Sequence, residues 1–306
     1  MSADGAGWEA QRERSSAFWV GLLVWVLRRL GRAPARLLLW PTVAWFLIAA
    51  GSARRASRAY LRRVLDREPT LADVARHFFT FAACSLDRLL LTGDQGRQLT
   101  LNIHRSDAVL ALFERREPAL VLVSHFGSFE ALRVIGSELH EMPLKILLDR
   151  QHGAIVTRLI EGLDPGFAAS IIDASERGPT LVLALRDAIR AGYSLGVMAD
   201  RVRGDEPSVC VRFLGAQASL PTSPWVLASA LKLPVIAAFG IHRGGRVYDA
   251  RFELLETAVD LPRADRDAAL QACAQRYAAL LEQQARAAPY NWFNFYDYWL
   301  TDRAAD

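Results

Sequence analysis

From residue 118 onward the sequence alternates short β-rich runs with helical stretches, and this alternation restricts the fold more than any other feature. PALVLVS (118–124) precedes SFEALRVIGSEL, LKILLD (144–149) precedes a helical stretch around 152–163, and ASIID (169–173) precedes TLVLALRDAIRAG. SLGVMAD (194–200) follows, and SPWVLASAL leads into LPVIAAFGIH (233–242). Parallel strands need crossover connections of this length, whereas hairpins do not. The expected architecture is therefore an α/β domain with a mostly parallel central sheet flanked by helices. VYDARFELLE (247–256) reads as an additional edge strand, followed by a final helix over 265–287 and an aromatic tail, PYNWFNFYDYW. Ahead of the sheet, residues 56–115 read as helices. ASRAYLRRVL and LADVARHFFTFAACSLDRLLL space apolar residues at three and four, with Thr70 or Asp73 as the cap of the second.

The formal net charge of +4 is unevenly spread over the 306 residues. Residues 1–70 hold 12 Arg against 5 acidic residues, and the remainder holds 25 basic against 28 acidic. The same N-terminal segment carries two apolar runs, AFWVGLLVWVL (17–27) and LLLWPTVAWFLIAAG (37–51), both shorter than the roughly 20 residues of a straight bilayer span. Tryptophans 19, 25, 40 and 45 lie in or beside them, and Arg clusters flank them. Indole rings favour the headgroup level and Arg favours anionic lipid, so the expected element is a membrane-associating helical hairpin entering one leaflet. A pair of buried core helices is the alternative, and Arg clusters on both flanks speak against it. The expected division is a membrane anchor over 1–70 and an enzyme domain over 71–306. A mean hydropathy of +0.10 is too low for a multi-span transporter, and a basic excess confined to the Trp-rich segment points to lipid rather than nucleic acid. No secretory signal peptide is read, and Cys84, Cys210 and Cys273 form no CxxC pair, which fits a reducing compartment.

The chemistry-bearing residues cluster in VLVSHFGSFEALR (121–133). A strand ends at Ser124, Gly127 turns, and a helix begins near Ser128, so His125 and Glu130 lie at the carboxyl end of a strand, where open α/β sheets place ligands. With His125 in the turn, Glu130 is able to accept a hydrogen bond from one imidazole nitrogen and leave the other to take a proton from a hydroxyl. That is the base and orienter of a triad, with the nucleophile supplied by a substrate. Backbone N–H groups at the helix start, at Gly127 and Ser128, are candidates for holding an oxyanion. A capping His and a Glu favoured by the helix dipole would produce the same spacing without catalysis.

HFGSFE resembles the HxxxxD/E motif of glycerolipid-type acyltransferases, and the chain is similar to the lipid A late acyltransferases, the lauroyl/myristoyl branch. LLDR, ending at Arg150, falls where that family has an arginine after its second strand. MADRVRG keeps the strand-end Asp at Asp200, and RFLGAQASLPTSPW resembles a further family stretch through Phe213, Gly215 and Ala218. The resemblance implies catalysis by His125 and Glu130. Gly127, Ser128, Arg150, Asp200 and Arg201 are the candidates for binding substrate: a guanidinium at Arg150 or Arg201 offers bidentate bonds to a phosphate or a thioester oxyanion, against a default of solvated surface charge, and Asp200 either orients one of these arginines or is a turn residue. Two departures bear on the acceptor. The family's Trp-x-His-Arg-Arg-type ending is replaced by Trp292, Phe293, Asn294, Phe295 and Tyr296, and Val202 stands where a second Asp is expected. The tail resembles acyltransferase-like proteins of polyketide or aryl polyene pathways, and it also reads as an aromatic plug on the sheet.

The resulting expectation is an O-acyltransferase on the cytosolic face of the inner membrane. It moves a fatty acyl group from a thioester, on acyl carrier protein or coenzyme A, to a lipid or lipid-like hydroxyl, without acyl-enzyme, metal or organic cofactor. A lipid-ester hydrolase would want a G-x-S-x-G elbow, which the sequence lacks. A non-catalytic assembly protein is the third reading, against which the His125 and Glu130 pair argues. His77, His104, His140, His152 and His242 read as structural.

Overall fold

The computed structural model describes residues 25–27, 29–91, 99–132, 143–148, 169–175 and 178–299. The chain divides into two compact units at Ala50/Gly51, ahead of the expected boundary at residue 70. In the first, α1 (Arg32–Leu37) and α2 (Leu39–Ala49) follow one another. α2 contains no charged residue, and its one hydroxyl is satisfied within the helix, Thr42 Oγ1 donating to the Leu38 carbonyl at 3.0 Å. Trp40, Trp45, Phe46 and Ile48 on it are exposed. The expected run 17–27 lies largely outside the described residues.

The second unit opens with α3 (Gly51–Leu65), which buries Ala56, Tyr60, Leu61 and Val64, exposes Arg55, Arg58 and Arg62, and lays half-buried Arg63 over the Trp299 ring. The cap of α4 (Leu71–Leu91) is reciprocal rather than a choice between two residues. Thr70 Oγ1 accepts the Asp73 N–H at 3.2 Å, and Asp73 Oδ2 accepts the Thr70 N–H at 2.8 Å, the geometry of a capping box. Arg67 then grips both Asp73 oxygens, at 2.8 and 3.0 Å. The Arg67 bonds, followed by those of Tyr290 and Thr70, outweigh desolvation and hold the Asp73 carboxyl well below the usual carboxylate range.

Nine strands follow among the described residues: β1 (Thr100–Arg105), β2 (Leu120–Val123), β3 (Leu144–Leu148), β4 (Ile171–Asp173), β5 (Ser194–Met198), β6 (Ser208–Phe213), β7 (Ala216–Pro221), β8 (Val235–Gly244) and β9 (Val247–Glu256). Seven make one sheet in the order β1-β9-β8-β2-β5-β3-β4, parallel throughout except for the β8–β9 hairpin. β2 sits in the middle and all four of its residues are buried, as a strand covered on both faces requires. Helices α5 (Asp107–Glu114), α6 (Pro179–Arg190), α7 (Ser223–Leu231) and α8 (Arg266–Ala287) accompany these strands among the described residues. Val109, Leu112 and Phe113 of α5 join Val121, Val123, Ile236, Ala238 and Phe252 in one core cluster.

One local expectation is corrected, and one stretch left without an assigned element is resolved. Residues 100–105, expected to be helical, are an edge strand paired in parallel with β9, so β9 is the second strand from that edge. TLNIHR alternates exposed and part-buried residues along its length, a period of two that the flanking helical pattern hides. RFLGAQASLP folds as the β6–β7 hairpin, whose turn residues Leu214 and Gly215 both have positive φ, as a two-residue turn matched to strand twist demands. α8 closes the open edge of β6. Gln275 accepts the Arg212 N–H at 2.8 Å and donates to its carbonyl at 2.9 Å. Of the helix expected after Ser124, its opening turn 129–132 is described, and the expected helix at 152–163 lies outside the described residues.

Candidate active site

Strand register brings the central pair of residues together. β2 and β5 are parallel neighbours with Val123 opposite Met198, and the Ala199 N–H donates to the Val123 carbonyl at 3.0 Å. Two residues further along each chain stand His125 and Asp200. The connection leaving β2 runs toward β3 and the one leaving β5 runs back toward β8, so these strand ends form the switch point at which an open sheet leaves a crevice.

There His125 Nδ1 meets Asp200 Oδ1 at 2.9 Å, and the His125 amide donates to Oδ2 at 3.1 Å. Asp200 is completely buried. Desolvation alone would raise its carboxyl; the charge and hydrogen bond of His125, the nearby Arg201 and the His125 amide outweigh it and hold the group well below the usual carboxylate range. An ionised carboxylate only accepts, so Nδ1 carries the proton and Nε2 is the basic nitrogen. The His125 side chain is 35% exposed, and Nε2 has no hydrogen-bond partner among the described residues. Tyr277 donates to the Val123 carbonyl at 3.3 Å from beneath.

Glu130 does not occupy the place expected for it. Its carboxylate is buried and ion-paired with Arg88 of α4, and the imidazole is oriented by Asp200 instead. Glu130 belongs to the first turn of the helix after Gly127, where its side chain leaves toward α4, whereas Asp200 arrives in register on the neighbouring strand. The amides expected to face an oxyanion are already engaged: Gly127 N–H donates to the Asn291 carbonyl at 2.8 Å, and Ser128 N–H to the Gly240 carbonyl at 2.7 Å. Ser128 is buried, with Oγ accepting the Ala131 N–H at 3.3 Å. Arg201 donates to the Phe293 carbonyl, lies 5.2 Å over the Tyr296 ring, and sits 3.6 Å from Asp200 Oδ2. Arg150 lies outside the described residues.

Two further features complete the site, the first absent from the sequence reading and the second read there as an aromatic plug or a binding tail with no place beside His125. Gly240, inside β8, packs its backbone against the turn after His125: a Cβ there would lie 2.0 Å from the Ser128 carbonyl oxygen, and one on Gly127, at φ +63°, would lie 1.9 Å from that of Gly240. A Gly inside an otherwise apolar strand was the available signal. The second is the aromatic tail, which forms the wall of the site. Phe293 N–H donates to the His125 carbonyl at 2.8 Å, and Trp292 Nε1 donates to Asp200 Oδ2 at 3.0 Å. The tail is thus packed as a plug, with Trp292 and Trp299 fully buried.

Residues 7–301 match the family model described as bacterial lipid A biosynthesis acyltransferase. No curated protein matches the chain significantly. A match of that extent covers both the strand-end pair and the tail, and from it we conclude that the chain belongs to the bacterial lipid A biosynthesis acyltransferase family and is an acyltransferase.

Proposed function

We propose that the chain transfers a fatty acyl group from an acyl thioester, carried by acyl carrier protein, to a hydroxyl of a lipid or lipid-like acceptor, with His125 as general base. The observation that carries this reading is the fixed tautomer: Asp200 holds Nδ1–H, which leaves Nε2 open at the carboxyl end of the sheet. Nε2 takes the hydroxyl proton as the alkoxide attacks the thioester carbonyl. The imidazolium is stabilised by Asp200, the tetrahedral intermediate collapses with loss of thiolate, and the thiolate recovers the proton. Donor and acceptor meet in one ternary complex, and no enzyme nucleophile is used. Glu130 is assigned to holding Arg88 and the opening of the helix that follows His125.

Membrane association on the cytosolic face of the inner membrane belongs to the same proposal. Among the described residues no single helix is long and apolar enough to cross a membrane. The 11 residues of α2 extend roughly 16 Å, about half of a hydrocarbon core of about 30 Å. Its exposed Trp40, Trp45, Phe46 and Ile48 suit insertion into one leaflet, with the neighbouring arginines at the headgroups.

The test is to incubate purified protein with acyl carrier thioesters and a membrane lipid extract, and to identify products by mass spectrometry. An acylated lipid that disappears with His125→Ala is expected. Free fatty acid alone, under every condition, would overturn the transferase reading in favour of a thioesterase.

A further inference from the structure

The carboxylate that orients His125 is itself held by the tail, and one tail residue does so from both of its ends. Asp200 has three local donors: Oδ1 takes the imidazole Nδ1–H at 2.9 Å, while Oδ2 takes the His125 amide at 3.1 Å and the Trp292 indole N–H at 3.0 Å. The Trp292 carbonyl is fixed in turn by His77 Nε2 at 2.9 Å, and His77 Nδ1 meets the Ser57 hydroxyl at 2.8 Å. A carbonyl only accepts, so Nε2 of His77 carries the proton and Ser57 donates to Nδ1. The ring of Trp292 is fully buried and set edge-on to Tyr60, Phe213 and Tyr298. Antiparallel pairing of Trp292 with Phe126, flanked by the Gly127 to Asn291 and Phe293 to His125 backbone bonds, completes the clamp.

A second buried indole separates this arrangement from ordinary packing. Trp299 is as deeply buried, yet its N–H donates to a backbone carbonyl, that of Phe213, at 3.0 Å. Both tryptophans satisfy their polar atom, as buried indoles do. Trp292 alone of the two directs it at the carboxylate on which the basic imidazole depends. We propose that Trp292 is a positioning residue for acyl transfer: its indole N–H fixes the rotamer of Asp200 and draws negative charge onto Oδ2, setting how strongly Oδ1 supports His125. This rests on His125 being the general base. Among the described residues, the other titratable and charged groups around the pair are Arg201, 3.6 Å from Oδ2, and the phenols of Tyr298, which donates to the Asp200 carbonyl at 2.9 Å, and Tyr277. Trp292→Phe keeps all three of these groups, with a ring still at 292 for Tyr298 to pack against.

The experiment compares Trp292→Phe and Trp299→Phe in the acyl carrier thioester assay across pH. Each removes one buried indole N–H, and only the first touches Asp200. For Trp292→Phe, kcat is expected to fall about tenfold to hundredfold, the loss of one hydrogen bond to a charged group, with the KM for the thioester within about twofold. The acid limb of the pH–rate profile should move to higher pH, because charge released from Oδ2 reaches Oδ1 and favours the protonated imidazole. Trp299→Phe should leave that limb in place. Activity in His125→Ala would remove the general-base assignment and this inference together. An inactive His125→Ala beside a Trp292→Phe enzyme with the kcat and acid limb of Trp299→Phe would overturn the role of Trp292 alone. Should Trp292→Phe fail to fold, benzothienylalanine at position 292 keeps the ring shape without the N–H and is held to the same outcomes.

Discussion

Two histidines of this protein lie on opposite sides of one tail residue, and their surroundings differ in the way that separates a structural imidazole from a basic one. His77, on α4, is fully buried and both its ring nitrogens are engaged, one by Ser57 and one by the Trp292 carbonyl. Burial, opposed by that carbonyl, pushes its pKa down to about 4. His125 has one nitrogen on a buried carboxylate, and the other has no partner among the described residues, on a side chain 35% exposed. The hydrogen-bond network is as dense in either place. What differs is that, among the described residues, the second region leaves one ring nitrogen unengaged and backs the ring with a charge, whereas the first stabilises only a neutral ring.

The largest expected effect breaks the comparison at its open end: His125→Ala lowers acyl transfer at least about a thousandfold, and lowers the denaturant midpoint as well because the buried Asp200 carboxylate loses its imidazole partner, so the rate is read on the fraction shown to be folded by circular dichroism. Gly240→Ala attacks the floor of that same region. Its Cβ would lie 2.0 Å from the Ser128 carbonyl oxygen, so the turn must shift by about 1 Å. The expected cost is about a hundredfold in kcat and about 1–3 kcal/mol in unfolding free energy, read by kinetics and urea titration on one preparation.

The closed end is tested by pH. Because the folded state keeps His77 neutral with a pKa near 4, against an ordinary 6.5, the unfolded state binds the extra proton between those values. Its contribution to stability is complete above about 6.5 and is lost as pH falls toward 4, roughly 3 kcal/mol in all. Urea unfolding at pH 7 and pH 4.5 should show this decline in the wild type and a flatter response in His77→Gln. Asp73 and Asp200 act in a separate window: their depressed carboxyls keep their contributions down to the ordinary value of 3.8, and these are lost only as pH falls below it. The smallest effect concerns α2, where Trp45→Ala should weaken binding to anionic vesicles about tenfold in a flotation assay, with the rate on a detergent-dispersed acceptor retained.

The strand end before His125 was legible because VLV followed by a Gly turn and a helical run is a local pattern. Asp200 was also identifiable as a strand-end residue, but its partnership with His125 depends on Val123 lying opposite Met198, a register between strands 75 residues apart that no local spacing encodes. Glu130 shows the converse. Its spacing of five from His125 suggested contact, yet the helix beginning at 129 carries its side chain to Arg88. Trp292 was readable only as one ring in an aromatic tail, since the same rings suit a plug or a binding wall until the carboxylate they face is known. β1 was missed because six residues of alternation stand between two strong helical patterns.

The central claim is that Asp200, held by the tail, makes His125 the base. Its most direct test is the single-turnover rate of acyl transfer by Asp200→Asn, with folding checked by circular dichroism. An Asn presents an amide where Nδ1 needs an acceptor and stabilises no imidazolium, so a folded variant slowed by two to four orders of magnitude, about the cost known for removing the carboxylate behind a catalytic histidine, is expected. A folded Asp200→Asn protein that transfers acyl groups at the wild-type rate would contradict the claim.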